Sequence, residues 1–203
     1  MPIASRRYLF AKRLFDIAVC VLLLPVGLLV FLLCALAIAI DTPGPILISQ
    51  VRTGRDGRRF RMLKFRTMVH NAEQLKPALA HLNILPPPDF KIPNDPRVTR
   101  VGRFLRQTSL DELPQILNVL RGEMSLVGPR PTSFDASTYT LWHTYRLEVT
   151  PGITGLWQIK GRNGTTFDER LRLDIQYIRQ RSFTFDLKLL LLTLPAVLKR
   201  SGV

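Results

Sequence analysis

From Ile17 to Ile40 the chain carries 24 consecutive residues without a charged or amide side chain, bounded by Asp16 and Asp41. As one helix this run rises ~36 Å, more than the ~30 Å hydrocarbon core of a bilayer, so the fold has to accommodate an apolar rod of membrane length. A cleaved leader fits poorly. Arg6, Arg7, Lys12 and Arg13 imitate its basic start and Ala35-Leu36-Ala37 its cleavage site, but the run exceeds the roughly 7–15 apolar residues of such leaders. Cys20 and Cys34, the only cysteines, both fall inside it and read as small hydrophobes. Two cysteines also exclude a disulfide-stapled secreted scaffold.

Charge around the rod constrains its path. Four basic residues precede it, and Arg52, Arg55, Arg58, Arg59, Arg61, Lys64 and Arg66 follow it against Asp56 alone. Basic flanks stay in the cytoplasm, and here both flanks qualify. Pro25 and Gly27 lie about a third of the way along, where proline removes a ladder hydrogen bond and kinks a helix. A hairpin-like, re-entrant helix that enters and leaves on one face satisfies both flanks; a single span is the alternative, and composition does not decide between them.

The rest reads as one domain, giving a division into residues 1–41 and 42–203. An apolar share of 46% beside a charged share of 22% excludes global disorder. The predicted class is α+β, mostly helical. Ile46 to Arg52 and Arg58 to Arg66 flank a Gly/Asp turn and predict a small β-hairpin. Helices are predicted over Asn71–Leu82, Val98–Gln107, Leu110–Leu120, Phe134–Glu148 and, amphipathically, Phe167–Arg181. Leu85 to Pro96 reads as an irregular loop, Met124 to Thr132 as a rigid Gly/Pro loop, and Pro151 to Gly164 as loop or short strand. Leu187 to Leu198 is apolar but too short to span, which places it in the membrane interface or in a core.

Within a chain of net charge +14, residues 107–150 carry three Lys/Arg against five Asp/Glu. That island holds Ser109-Leu110-Asp111-Glu112-Leu113-Pro114-Gln115. Ser109 with Glu112 fits a capping box; Asp111 as N-cap fits Pro114 better, because proline is harmless in a first helical turn. Capping and catalysis both stay open on this pattern. Arg130 sits between Pro129 and Pro131, which preset its backbone for presenting a fork of donors to phosphate. Lys64 and Arg66, two apart, point the same way on a strand. His70, His81 and His143 are scattered without metal-ligand spacing, and neither a P-loop nor a Ser-His-Asp pattern is present.

Six stretches follow in order from Lys12 to the C-terminal part: Lys12-Arg13-Leu14-Phe15-Asp16, Lys64 to Met68, Asp95 to Thr99, Ser109 to Gln115, Gly122 to Pro131 and Pro151 to Gln158. Together they resemble the small monotopic phosphoglycosyl transferases of the bacterial sugar transferase family, which move a sugar phosphate onto a polyprenyl phosphate. The resemblance implies that Asp111 is the nucleophile and that Glu112 holds Mg²⁺ with it. It implies phosphate contacts from Arg130, Lys64 and Arg66, and places Gln158 and Arg162 near the nucleotide-sugar. It further implies a UDP-sugar donor, an undecaprenyl phosphate acceptor, a re-entrant membrane helix with interfacial amphipathic helices, and the cytoplasmic face of the bacterial inner membrane. Some members break the helix at Ser-Pro; this chain has Leu24-Pro25. Larger relatives carry extra membrane helices and a further domain, for which 203 residues leave no room.

Both implied substrates are anions, which a basic protein at an anionic membrane attracts. A nucleic-acid binder would also be basic, but RRM, zinc-finger and OB-like signatures are missing, so no nucleic-acid partner is expected. A non-enzymatic membrane scaffold is the other alternative, separated by turnover of a nucleotide-sugar. A homodimer is left open.

Overall fold

The computed structural model describes residues 5–84, 90–161 and 166–198. One helix, α1 (Arg6–Asp41), contains the whole apolar run with Pro25 inside it, and Ser5 caps its start by accepting from the Tyr8 N–H. Pro25 has no N–H to offer the Val21 carbonyl one turn earlier. The middle of the helix is open: Leu22 is 78% exposed and Val26 66%. Only 11% of its most apolar window is buried within the protein, so α1 is not a core helix.

Both ends of α1 are tied to the same domain. Near its start, Arg13 donates to the Val119 and Leu120 carbonyls at 2.5 and 2.9 Å, and Asp16 accepts from Ser125 Oγ at 2.7 Å and Leu126 N at 3.3 Å. Tyr8 and Lys12 both donate to Asp186. At its far end, Asp41 accepts from Val101 N at 3.2 Å, and Cys34 and Ile38 join Phe65 and Leu105 in a buried cluster.

The hairpin forms as predicted. Strands β1 (Leu47–Thr53) and β2 (Arg59–Phe65) pair antiparallel with Ile48 opposite Lys64 and Gln50 opposite Met62. Helix α3 (Arg100–Thr108) starts at Thr99, whose Oγ1 accepts from Gly102 N at 2.9 Å. Helix α6 (Phe167–Gln180) carries a full capping box between Thr166 and Glu169, and α7 (Phe183–Leu198) begins before the predicted apolar segment. Leu171, Tyr177 and Ile178 of α6 are buried, and the last two pack with Val127, Leu156 and Leu189. The described residues are mostly helical α+β with two small sheets.

Several predicted elements differ. Asn71–Leu82 reduces to α2 (Ala72–Leu75) and a 3-10 turn at Ala80–Leu82, because Pro77 has no N–H to donate to a helical ladder. Phe134–Glu148 forms 3-10 turns at Ala136–Thr138 and Leu141–Glu148. There Asp135 accepts from Ser137 N, while Thr138 and Thr144 donate to the Asp135 and Leu141 carbonyls, local bonds that compete with an α-helix. The loop at Met124–Thr132 contains a strand, β3 (Ser125–Val127), parallel to β4 (Gly152–Thr154), which precedes the short α5 (Leu156–Lys160). Residues 85–89 of the predicted Leu85–Pro96 loop lie outside the described residues.

Candidate active site

The predicted helix Leu110–Leu120 is divided, and the division builds the site. Ser109 takes a left-handed backbone (φ 58°, ψ 15°) that ends α3 and starts a 3-10 turn at Leu110–Glu112. Helix α4 (Gln115–Arg121) follows, with Pro114 at its N-cap. Neither capping arrangement read from the sequence forms: Ser109 makes no side-chain cap bond and Asp111 caps nothing. A non-glycine residue in the left-handed region is uncommon and clusters at functional sites. Here it turns two adjacent carboxylates toward β2.

Lys64 of β2 meets both of them, its Nζ 3.3 Å from Asp111 Oδ2 and 3.0 Å from Glu112 Oε1. Arg130 grips Glu112 through two nitrogens, Nη2 on Oε1 and Nη1 on Oε2, the latter at 3.3 Å. Burial by itself pushes the Glu112 carboxyl up, but Arg130 and then Lys64 outweigh it and hold it at about 2. Glu112 is thus a permanent anion at neutral pH, and Arg130 stays protonated beside it. Asp111 is mostly buried but opens on a cavity of about 590 Å³ that Lys64, Arg66, Arg106 and Arg130 also line.

The remaining predicted residues divide. Gln158 lines the cavity beside Trp157 and donates to the Ile153 carbonyl at 3.0 Å. Arg66 lines it too, but its terminal nitrogens donate to the Pro43 and Thr42 carbonyls just after α1, so its guanidinium also fastens the end of α1. Lys64 and Arg66, the latter one residue past the end of β2, therefore have different partners. Arg162 lies outside the described residues. Among the described residues no cluster of three or more His, Cys, Asp or Glu forms a ready-made metal site.

Two further residues shape the site without having been predicted. Arg106 of α3 presents its guanidinium to the cavity and donates Nε to Thr67 Oγ1 at 2.9 Å. Asn118, fully buried, lies along the free edge of β2 like the peptide of a third strand. Its Oδ1 accepts from Leu63 N at 3.0 Å; its Nδ2 donates to the Arg61 carbonyl at 2.8 Å and to Glu123 Oε2 at 2.7 Å. That clamp fixes β2 against α4 and so holds Lys64 over the carboxylates. A lone amide within the apolar stretch Ile116–Leu120 is the sequence signal that marks it.

An adjacent carboxylate pair lies under cationic side chains and opens on a cavity, in a chain that also carries a membrane-length apolar helix. The chain belongs to the bacterial sugar transferase family, which it matches over residues 7–200. It is 47% identical to galactosyl transferase CpsE of Streptococcus agalactiae over 96% of this chain and 44% of that protein. It is 42% identical to the undecaprenyl-phosphate galactose phosphotransferase of Salmonella typhimurium over 98% of this chain and 43% of that protein. It is also 42% identical to the UDP-glucose:undecaprenyl-phosphate glucose-1-phosphate transferase of Caulobacter vibrioides, over 92% of this chain and 69% of that one. The chain thus spans less than half the length of the first two relatives.

Proposed function

We propose that this chain transfers a sugar 1-phosphate from a UDP-sugar to undecaprenyl phosphate at the cytoplasmic face of the bacterial inner membrane, by way of a covalent phosphosugar on Asp111. The observation that carries the reading is the arrangement of Asp111 and Glu112 beneath Lys64 and Arg130: an ionised carboxylate anchors two cations beside a second carboxylate that faces an open cavity. The activities for which the Salmonella and Caulobacter relatives are named supply the class of donor and acceptor.

In the first displacement an Asp111 carboxylate oxygen attacks the sugar-bearing phosphorus, and the bond from that phosphorus to the bridging oxygen breaks, expelling UMP. In the second, an oxygen of undecaprenyl phosphate attacks the same phosphorus and the bond to Asp111 breaks, regenerating the carboxylate. Splitting the transfer lets one bulky anion leave before the next arrives. Lys64 and Arg130 supply preorganised positive charge to the phosphoryl oxygens as charge shifts between attacking and leaving groups. Asp111 and Glu112 would hold Mg²⁺, a hard cation that takes carboxylate oxygens. When bound it supplies further neutralisation of the transferred and leaving phosphates.

The acceptor's isoprenoid tail requires the site to sit at the bilayer surface, and a re-entrant α1 accomplishes this. Asp16 and Asp41 are 25 residues apart, ~37 Å along a straight helix, yet both bond to one domain. A single span would put them on opposite sides of the hydrocarbon. Exposed Leu187, Leu191 and Leu192 on α7 support an interfacial seat.

The test is turnover by the purified chain in detergent or nanodiscs. With Mg²⁺, undecaprenyl phosphate and a panel including UDP-galactose and UDP-glucose, UMP release and a lipid-linked sugar are expected. No UMP from any donor overturns the reading in favour of a scaffold.

A further inference from the structure

We propose that Arg146 and Asp174 form a buried positioning pair that fixes the backbone of Arg130 and thereby aims its guanidinium at Glu112 and the substrate phosphate. This rests on the function proposed above.

The segment Gly128–Thr132 is held by its carbonyls. Pro129 O accepts from Gly152 N at 2.9 Å and Thr132 O from Thr53 N at 2.9 Å. Between them, Arg130 O accepts from Arg146 Nη2 at 2.5 Å. Pro129 and Pro131 have fixed φ and no N–H, so the freedom left in this segment is concentrated at Arg130, and Arg146 removes it. Gly128 and Gly152 approach so closely that a Cβ on Gly152 would lie 2.1 Å from Gly128 N, which keeps the segment pressed onto β4.

Arg146 is 6% exposed and Asp174 1% exposed, with Nη2 and Oδ2 at 2.8 Å. Neither Asp174 oxygen has a hydrogen-bond partner among the described residues, so Asp174 acts on Arg146 through charge. Asp174 belongs to α6, whose neighbouring Leu171, Tyr177 and Ile178 are fully buried, making it a rigid base. The connection is continuous from α6 through Asp174, Arg146 and the Arg130 carbonyl to the Arg130 fork on Glu112. A buried ion pair is a poor source of stability, since apolar side chains of similar size commonly do as well or better. What an apolar pair cannot supply is a charged donor directed at the Arg130 carbonyl.

The experiment uses the purified full chain with three variants: Arg146→Met, Asp174→Asn, and the double Arg146→Met/Asp174→Leu, which restores an apolar pair. Hydrogen exchange of the peptides that contain Thr53 and Gly152, kcat and KM for the UDP-sugar, and Tm are measured together. In Arg146→Met, exchange at Thr53 and Gly152, whose amides donate to the Thr132 and Pro129 carbonyls, is expected to rise at least tenfold while α3 is unchanged. The kcat is expected to fall by ~10–100-fold, the scale of a sub-ångström to 1 Å misplacement, with a smaller change in KM. Asp174→Asn moves both in the same direction by less. The double variant regains Tm but neither protection nor kcat. Recovery of kcat or of exchange protection in the double variant, or unchanged exchange in Arg146→Met, overturns the proposal. If even the wild-type chain turns over no UDP-sugar, the proposed function fails, while the exchange data still decide whether the pair positions Arg130.

Discussion

Asn118→Leu tests how the site is held together. Leucine matches asparagine closely in size, so the change leaves no large cavity; it removes one acceptor and two donated bonds. Glu123 regains water, but Leu63 N–H and Arg61 C=O, at the part-buried edge between β2 and α4, lose their partners. Leaving a buried polar group unpaired costs about 1–3 kcal/mol, so two such groups cost roughly 2–6 kcal/mol, a large part of the 5–15 kcal/mol typical of a domain. For a chain of this size that corresponds to a fall in Tm of roughly 5–20 °C. Thermal unfolding in detergent, followed by the fluorescence of Trp142 and Trp157, reads it directly. Because Lys64 follows Leu63, turnover should fall below what the folded fraction accounts for. A Tm within about 2 °C of wild type refutes the clamp and the inference that it places Lys64.

Arg130→Lys keeps the charge but cannot grip both oxygens of Glu112, so kcat with a UDP-sugar should fall ~10–100-fold with little loss of Tm; unchanged kcat rejects the fork. Burial pushes the Asp174 carboxyl up to about 6, with Arg146 opposing. The folded state therefore holds this proton more tightly than the unfolded chain, and stability falls as pH rises through the window from about 4 to about 6, by roughly 3 kcal/mol, then levels. Denaturant titrations across that range should show the slope in wild type and lose it in Asp174→Asn. Cysteines placed at residues 4 and 56 of a cysteine-free chain should both resist a membrane-impermeant thiol reagent in intact cells; labelling of residue 4 alone restores a single span.

What was legible followed from local pattern or from the family resemblance. The apolar run, the hairpin around Gly54 and Gly57, and the amphipathic α6 are periodicity and turn chemistry, and each forms. That Asp111, Glu112, Lys64 and Arg130 share one site follows from the resemblance, which assigns the cations to substrate phosphate and does not give their ion pairs with the carboxylates; spacing has no means of bringing residue 64 to residue 111. Helix predictions failed where short side chains bond their own backbone, at Asp135–Thr144, or where Pro77 and Pro114 interrupt a ladder. Arg66 illustrates the limit of face arguments: the predicted strand face joins it to Lys64, yet β2 ends at Phe65 and the Arg66 guanidinium reaches back to the end of α1. Arg146 and Asp174 carry no local signal, because a buried ion pair between distant segments exists only once the fold has brought them together.

The central claim is a covalent phosphosugar on Asp111, and intact-protein mass spectrometry addresses it most directly. The chain is incubated with Mg²⁺ and a UDP-sugar that it turns over, without undecaprenyl phosphate, and quenched. A covalent intermediate gives one equivalent of UMP per active site, a mass increase of one sugar phosphate that maps to Asp111 and disappears on adding acceptor, and no adduct in Asp111→Asn. An unmodified mass together with UMP release that strictly requires the acceptor would contradict it.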